Sequence, residues 1–432
     1  MHTVNDDQVP STADRGLEDL ADFEPFDPAQ QGTHHDKMAE LRERCPVVRL
    51  GSGMVVVTRF NDIRTALSER TMENSHAGRA PGVFVPPEDR LFFFEYDPPD
   101  HLPNRRVLLD LLSRRRVATE EPWIRALVEE LLDPLVRARC GEIVSQLSVP
   151  LAGRTMMRAA GLPEDDAPLW RAWIKDMVLT GFSFHNRNER GVGYAECYPD
   201  QLAYIDEKLA ERAHQVEAGA DVASLPDDTL TRVVTARIDG QPLSHTTQRM
   251  MVSSVVAGGA NTLVNFVSNT MLSLARDPAL VDKLHQDPSL IPIAVEESLR
   301  RDAPSMYMTR TTAEEMELGG TTIREGEKVL LGLASANRDE TVYPHATEFR
   351  LDRGDQPPHV AFGWGAHLCL GAHLARLVGV TLLALFLARV HSIDLEPGSS
   401  PVPYLSVQGN GLDQLQVRLQ PLDRSDGAAP TP

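Results

Sequence analysis

One run, His359–Arg376, carries residue types well suited to chemistry: HVAFGWGAHLCLGAHLAR. A single cysteine, Cys369, is surrounded by Gly363, Gly365 and Gly371, and an apolar helix starts directly after it. Glycine permits tight turns and the close approach of a bulky flat group. A thiolate at a helix N-terminus is stabilised by the helix dipole and by the free N–H groups there. A lone cysteine in an apolar helix is ordinarily a buried structural thiol, and the glycine loop argues against that here. The other cysteines, Cys45, Cys140 and Cys197, are scattered, with no Cys-x-x-Cys pair and no histidine at zinc spacing. That pattern speaks against a disulfide framework or a structural zinc site.

Three further constellations stand out. Glu297-Ser-Leu-Arg300 puts an acid and a base at i, i+3 on one helical face, by default a solvated surface pair. Asp97–His101 (DPPDH) opens a helix carrying His101 and Arg105 at i, i+4, with Pro103 tolerable in the first turn. A long helix is expected from about Ser244, a plausible N-cap, to Arg276, apolar nearly all round and spanning roughly 50 Å. Gly258 and Gly259 sit in its middle. They serve either close helix packing or a local loosening where a ligand meets the backbone.

Phe362, Gly363, Gly365, His367, Cys369 and Gly371 together resemble the haem loop of the cytochrome P450 family, in its soluble bacterial members: Phe-Gly-x-Gly-x-His-x-Cys-x-Gly. The resemblance implies haem b with Cys369 as axial thiolate, pushing electron density onto the iron and favouring O–O cleavage. It places Phe362 near the ligand and His367, His101, Arg105 and Arg310 at the haem propionates, where charge-assisted bonds anchor the cofactor. Glu297 and Arg300 then match the family's Glu-x-x-Arg motif, with Arg353 as third member of a network that braces the core.

The same resemblance sets the oxygen site on the long helix as a Gly-x-acid-Thr pattern. Alignment on Asn265, Pro278 and the spacing to Glu297 puts Thr262 at the alcohol position and Asn261 where the family carries an acid. An amide orients water but does not titrate near neutral pH. The proton path must then run through water or a substrate hydroxyl, or the chemistry is slower, or it does without that relay; the retained Thr262 favours the first. Family resemblance also outlines a substrate pocket: Phe93, Phe182, Ser254, Gly258, Met306, Tyr307, Met308 and Gln408. Each apolar member is equally at home in ordinary core packing. The lining suits a compact, largely apolar molecule such as a terpenoid or a natural-product intermediate. The Gly-Gly-x-x-Thr-x-Val-Asn-Phe run is similar to that of camphor-type hydroxylases.

The elements that must position these groups are mainly helical. Helical periodicity is expected over Glu121–Ala138, Pro168–Leu179, Asp200–Ala218, Thr246–Arg276, Pro288–Arg301 and Gly371–Val390. A small β region comprises Pro46–Leu50, Met54–Thr58 and a hairpin turning at Glu325–Gly326. The fold class is therefore mainly α with a small β region, as in the cytochrome P450 fold, with haem between the long central helix and the cysteine loop. One domain over residues 21–424 is expected, with disordered tails at 1–20 and 425–432.

The 432 residues are 42% hydrophobic and 24% charged, enough to bury a large core. A net charge of −19 argues against a general nucleic-acid or anionic-membrane surface. No secretory h-region opens the chain, and the apolar run Val378–Ala388 is far short of the ~20 residues a membrane helix needs, so a cytoplasmic setting is expected. Against that acidic background Arg105, Arg106, Arg114, Arg115 and Arg116 crowd into one stretch, either a solvated turn or a docking patch for an acidic ferredoxin. The resemblance implies a monooxygenase fed by NAD(P)H through ferredoxin reductase and ferredoxin. The alternatives are another haem-thiolate chemistry (nitric-oxide reduction, peroxide use, oxidative coupling) or a non-catalytic haem-binding partner protein.

Overall fold

The structure, a computed structural model, describes residues 23–25, 27–74, 95–176, 198–219, 221–404 and 409–422. Both expected tails, and Phe93, Phe182 and Gln408, lie outside the described residues. A helical mass fills most of the domain, and a five-stranded sheet stands to one side. The sheet runs Val47–Arg49, Val55–Val57, Lys328–Leu331, Met308–Thr312, Met72–Glu73 in spatial order. Its one parallel pair joins Val55–Val57 to Lys328–Leu331. Those two strands are buried at every position, so they read as continuous apolar runs rather than alternating ones.

The expected hairpin at Glu325–Gly326 is not formed. Thr321–Ile323 pairs instead with Met316–Leu318, turning at Gly319 (φ +57°) and Gly320 (φ +77°). Two successive left-handed residues are what a two-residue hairpin turn needs, and the Glu325–Gly326 turn leads from this hairpin into the large sheet.

The central helix spans 32 residues, His245–Arg276. By length and composition it could cross a membrane, yet 72% of its most apolar stretch is buried inside the domain, which makes it a core helix. Ser244 caps it, its hydroxyl accepting from the Thr247 N–H at 3.1 Å. The helix is interrupted not at the glycines but at Asn261, between His245–Ala260 and Thr262–Arg276. The two glycines do different things. A Cβ on Gly259 would lie 1.9 Å from the Met156 sulfur, so this residue lets helix Val149–Ala160 pack against the central helix. Gly258 is exposed, and a Cβ there would meet nothing within 4 Å.

The cysteine helix, Ala372–Leu387, crosses the central helix at a third glycine. A Cβ on Gly379 would lie 2.6 Å from Phe266 Cζ and 3.2 Å from Val295 Cγ2. Gly379 therefore sets how closely the helix that follows Cys369 packs on Phe266 of the central helix and on Val295. Bracing comes from a buried ionic network. Glu297 accepts from Arg300 Nε and Nη2, both at 2.8 Å, and from Arg353 Nε at 2.7 Å. Arg300 also donates to the carbonyls of Asn337 and Ala346, so its buried donors are met.

Candidate active site

The cysteine loop is shaped by two left-handed glycines, Gly363 (φ +71°) and Gly365 (φ +69°). At Gly365 a Cβ would come within 2.6 Å of the Leu67 carbonyl oxygen, so only glycine lets the loop lie on helix Phe60–Ser68. The Cys369 N–H donates to the Phe362 carbonyl at 2.9 Å and closes the loop just ahead of the cysteine helix. Cys369 is exposed although dense protein lies behind it. Burial pushes its thiol above the ordinary value. The N–H groups of Gly371 and Ala372 and the guanidiniums of Arg105 and Arg376 pull the other way without overcoming it. Coordination to a metal cation deprotonates such a thiol. Among the described residues no group of three or more His, Cys, Asp or Glu is arranged around a metal ion. One sulfur alone suits a metal whose other ligands arrive with it, as in a porphyrin.

Beside the loop, two histidines and two arginines converge. The His101 and His367 rings stack at 3.9 Å between centroids. Arg310 is buried, donating to the Thr309 carbonyl at 2.7 Å and to the Met308 sulfur at 3.0 Å. Arg105 donates to the Leu368 carbonyl. Asp97, 3.8 Å from His367 Nε2, is the carboxylate facing this group, and it also accepts from the Asn74 N–H. His367 is driven down to about 3 by burial and by the charges of His101, Arg310 and Arg105. Burial brings Arg310 down to about 10, with Asp97 opposing. His101 Nε2 and His367 Nδ1 are buried without a hydrogen-bond partner. Orphaned polar atoms and mutually repelling cations are costly by themselves, and a ligand carrying two carboxylates would relieve both. The residues therefore fit haem.

On the central helix Thr262 Oγ1 donates to the Gly258 carbonyl at 2.9 Å. This back-bond takes up the hydroxyl proton and leaves lone pairs to accept another, one turn from the open face of Gly258. Ser254 is buried and donates to the Met250 carbonyl at 2.6 Å. Met306 and Tyr307 are buried in an apolar cluster with Met38, Leu41 and Leu330, and the Tyr307 ring lies 5.5 Å from that of His34. Met308 reaches the cysteine loop, its Cε 3.4 Å from where a Gly363 Cβ would stand. The structure thus brings Gly258 and Thr262 together, and Met308 with Arg310 and the loop; Ser254, Met306 and Tyr307 are held within the protein.

Of the arginine cluster, Arg116 is engaged by Asp227 at 3.0 Å and by Glu120, and Arg105 turns toward the loop. Arg106, Arg114 and Arg115 stay exposed. Sequence reasoning missed Asp97 as counter-charge, although it read the DPPDH run. It also missed Arg64, stacked on Trp364 of the loop at 4.3 Å, for which the sequence gives no signal.

Comparison with known proteins gives the family. The family model for cytochrome P450 matches residues 182–407. The chain is 30% identical over 421 residues to cytochrome P450 107B1 of Saccharopolyspora erythraea, covering 93% of this chain and 98% of that protein. The chain belongs to the cytochrome P450 family. It is also 30% identical to linalool 8-monooxygenase of Pseudomonas putida, over 90% of this chain and 97% of that one. Among solved structures, a mutant of P450 EryK in complex with erythromycin B matches with a TM-score of 0.81 at 26% identity, over 93% of this chain and 99% of that one. This P450 is accordingly an oxidoreductase of the monooxygenase type, and its cofactor is haem iron held by a cysteine thiolate.

Proposed function

We propose that this P450 inserts one oxygen atom from dioxygen into a small, largely apolar organic substrate, terpenoid-like or a natural-product intermediate. The observation that carries the reading is the juxtaposition of an open, glycine-cradled Cys369 with the anion-seeking cluster His101, Arg105, Arg310 and His367. Cys369 would hold the haem iron through its thiolate, Phe362 and Gly371 would shape its loop, and the cluster would hold the two propionates. When bound, the haem supplies dioxygen activation and oxygen transfer. Thr262, whose hydroxyl donates to the Gly258 carbonyl, keeps lone pairs that would accept a hydrogen bond from water or a reactant on that face. Asn261 orients water in the proton path but donates no ionisable proton. Gly258 leaves room beside the oxygen site, and Phe93, Phe182 and Gln408 remain pocket candidates.

Electrons come from NAD(P)H through ferredoxin reductase and ferredoxin in the cytoplasm, with Arg106, Arg114 and Arg115 as the docking charges. A relative named for linalool and a neighbour solved with erythromycin B support an organic substrate without fixing its size. Asn261 in the acid's place favours, as a second reading, a haem-thiolate chemistry that needs no titratable relay. The test is a Soret titration of the ferric protein with small terpenoids. A saturable low-to-high-spin shift supports the compact apolar substrate, and the absence of a shift with every compound overturns it.

A further inference from the structure

Behind Phe362 lies an ionic group that neither the haem contacts nor the Glu297 network uses. Arg376, seven residues after Cys369 on the cysteine helix, stands 4.7 Å above the Phe362 ring. It donates to Glu296 through Nε at 2.6 Å and Nη2 at 2.8 Å, a bidentate pair that fixes the guanidinium plane. His359 approaches from the other side, its Nε2 3.4 Å from Glu296 and its ring 5.8 Å from that of Phe362. The His359 Nδ1 accepts from the Ala361 N–H at 3.2 Å, and its buried Nε2 faces Glu296 without a hydrogen-bond partner of its own. Arg376 and His359 hold the Glu296 carboxyl at about 2 against the upward push of burial. The Phe362 carbonyl in turn accepts the Cys369 N–H. One face of the Phe362 ring, on the residue whose carbonyl closes the cysteine loop, thus carries a fixed positive charge with a fixed negative charge behind it.

We propose that Arg376, seated by Glu296 and His359 on Phe362, is a positioning residue that sets the reduction potential of the haem iron on Cys369. The inference rests on Cys369 being the iron ligand. A positive charge near the iron–thiolate centre stabilises the reduced, more negative state and raises the potential, and Glu296 tempers that effect. Both partners are partly exposed, with side-chain accessibilities of 36% and 43%, so salt weakens the influence.

The test is spectroelectrochemical titration of the haem-loaded wild type, E296Q, R376Q, R376K and E296Q/R376Q at low and high salt. R376Q is expected to lower the one-electron reduction equilibrium at least threefold, about 28 mV at 59 mV per tenfold. E296Q is expected to raise it, the double variant to return toward wild type, and R376K to stay near wild type because the charge is kept. Shifts of the same sign in E296Q and R376Q, or R376K moving as far as R376Q, would mean a merely structural role and overturn the proposal. The ferrous–CO band of the wild type separates the two layers. If the thiolate-type band is absent, the reading of Cys369 fails and takes this inference with it. If it is present, the potentials alone decide.

Discussion

Replacing Glu297 by alanine removes the acceptor of four hydrogen bonds: from Arg300 Nε and Nη2, Arg353 Nε and the Arg350 N–H. Side-chain accessibilities of 4% for Glu297, 3% for Arg300 and 10% for Arg353 decide which magnitude applies. An exposed ion pair is worth ~0–1 kcal/mol, whereas deleting one partner of a buried pair costs about 3–5 kcal/mol, because the other charge stays buried and unpaired. Arg300 keeps its bonds to the carbonyls of Asn337 and Ala346, but carbonyls do not neutralise its charge. A loss of about 3–5 kcal/mol is therefore expected, a large part of the ~5–15 kcal/mol that holds a domain folded. The assay is urea unfolding followed by far-UV circular dichroism and Soret absorbance, at matched haem content because a bound cofactor itself stabilises the native state. In E297L/R300M both charges of the pair are gone, and the double variant should lose less than the two single changes summed. A loss below about 1 kcal/mol for E297A, or strict additivity in the double variant, would show that the Glu297–Arg300 pair behaves as an exposed one.

Other perturbations probe the packing, the oxygen site and the acid limb. Gly379→Ala gains helix propensity of ~1 kcal/mol but drives a methyl into Phe266 and Val295, both buried. Overpacking of about 1–3 kcal/mol against that gain leaves a net loss of up to about 2 kcal/mol of unfolding free energy, and a raised unfolding midpoint would contradict it. Asn261→Asp restores a titratable group beside Thr262 and should accelerate coupled dioxygen activation in stopped-flow comparison; unchanged or lower coupled turnover would sink the proton-path reading. Burial lowers His34 from an ordinary 6.5 to about 4, so the unfolded chain binds a proton that the native state refuses. Its contribution is fully present above pH 6.5 and is lost as the pH falls toward about 4, with a slope of up to ~1.4 kcal/mol per pH unit. His34→Phe should flatten that limb in urea midpoints measured across the range, and an equally steep limb would exclude His34 as its source.

Much of this molecule is legible in local sequence because local rules decide it. Glu121–Ala138 forms with the expected bounds, since its apolar stripe repeats at helical spacing and Arg139 closes it in a left-handed conformation. The Cys369 loop is legible because its glycines meet local steric demands, a positive φ at Gly363 and Gly365 and the Leu67 carbonyl at Gly365. What local pattern cannot show is which distant element a strand or charge will choose. The segment after Gly326 pairs with strands near residues 55 and 310 rather than folding back on its neighbour. Glu296 and Arg376 meet across 80 residues, and Gly259 is explained only by Met156 on another helix. The interruption at Asn261 sits three residues beyond Gly258, at the residue preceding the Thr262 back-bond, and apolar periodicity carries no trace of it.

The central claim, that Cys369 holds the iron, is met most directly by the ferrous–CO difference spectrum of the wild type beside Cys369→His. The wild type is expected to show the long-wavelength Soret band of a thiolate-ligated haem, and the variant a shorter-wavelength, histidine-type band. A wild type without the long-wavelength band, or a variant that retains it, would mean that Cys369 does not hold the iron.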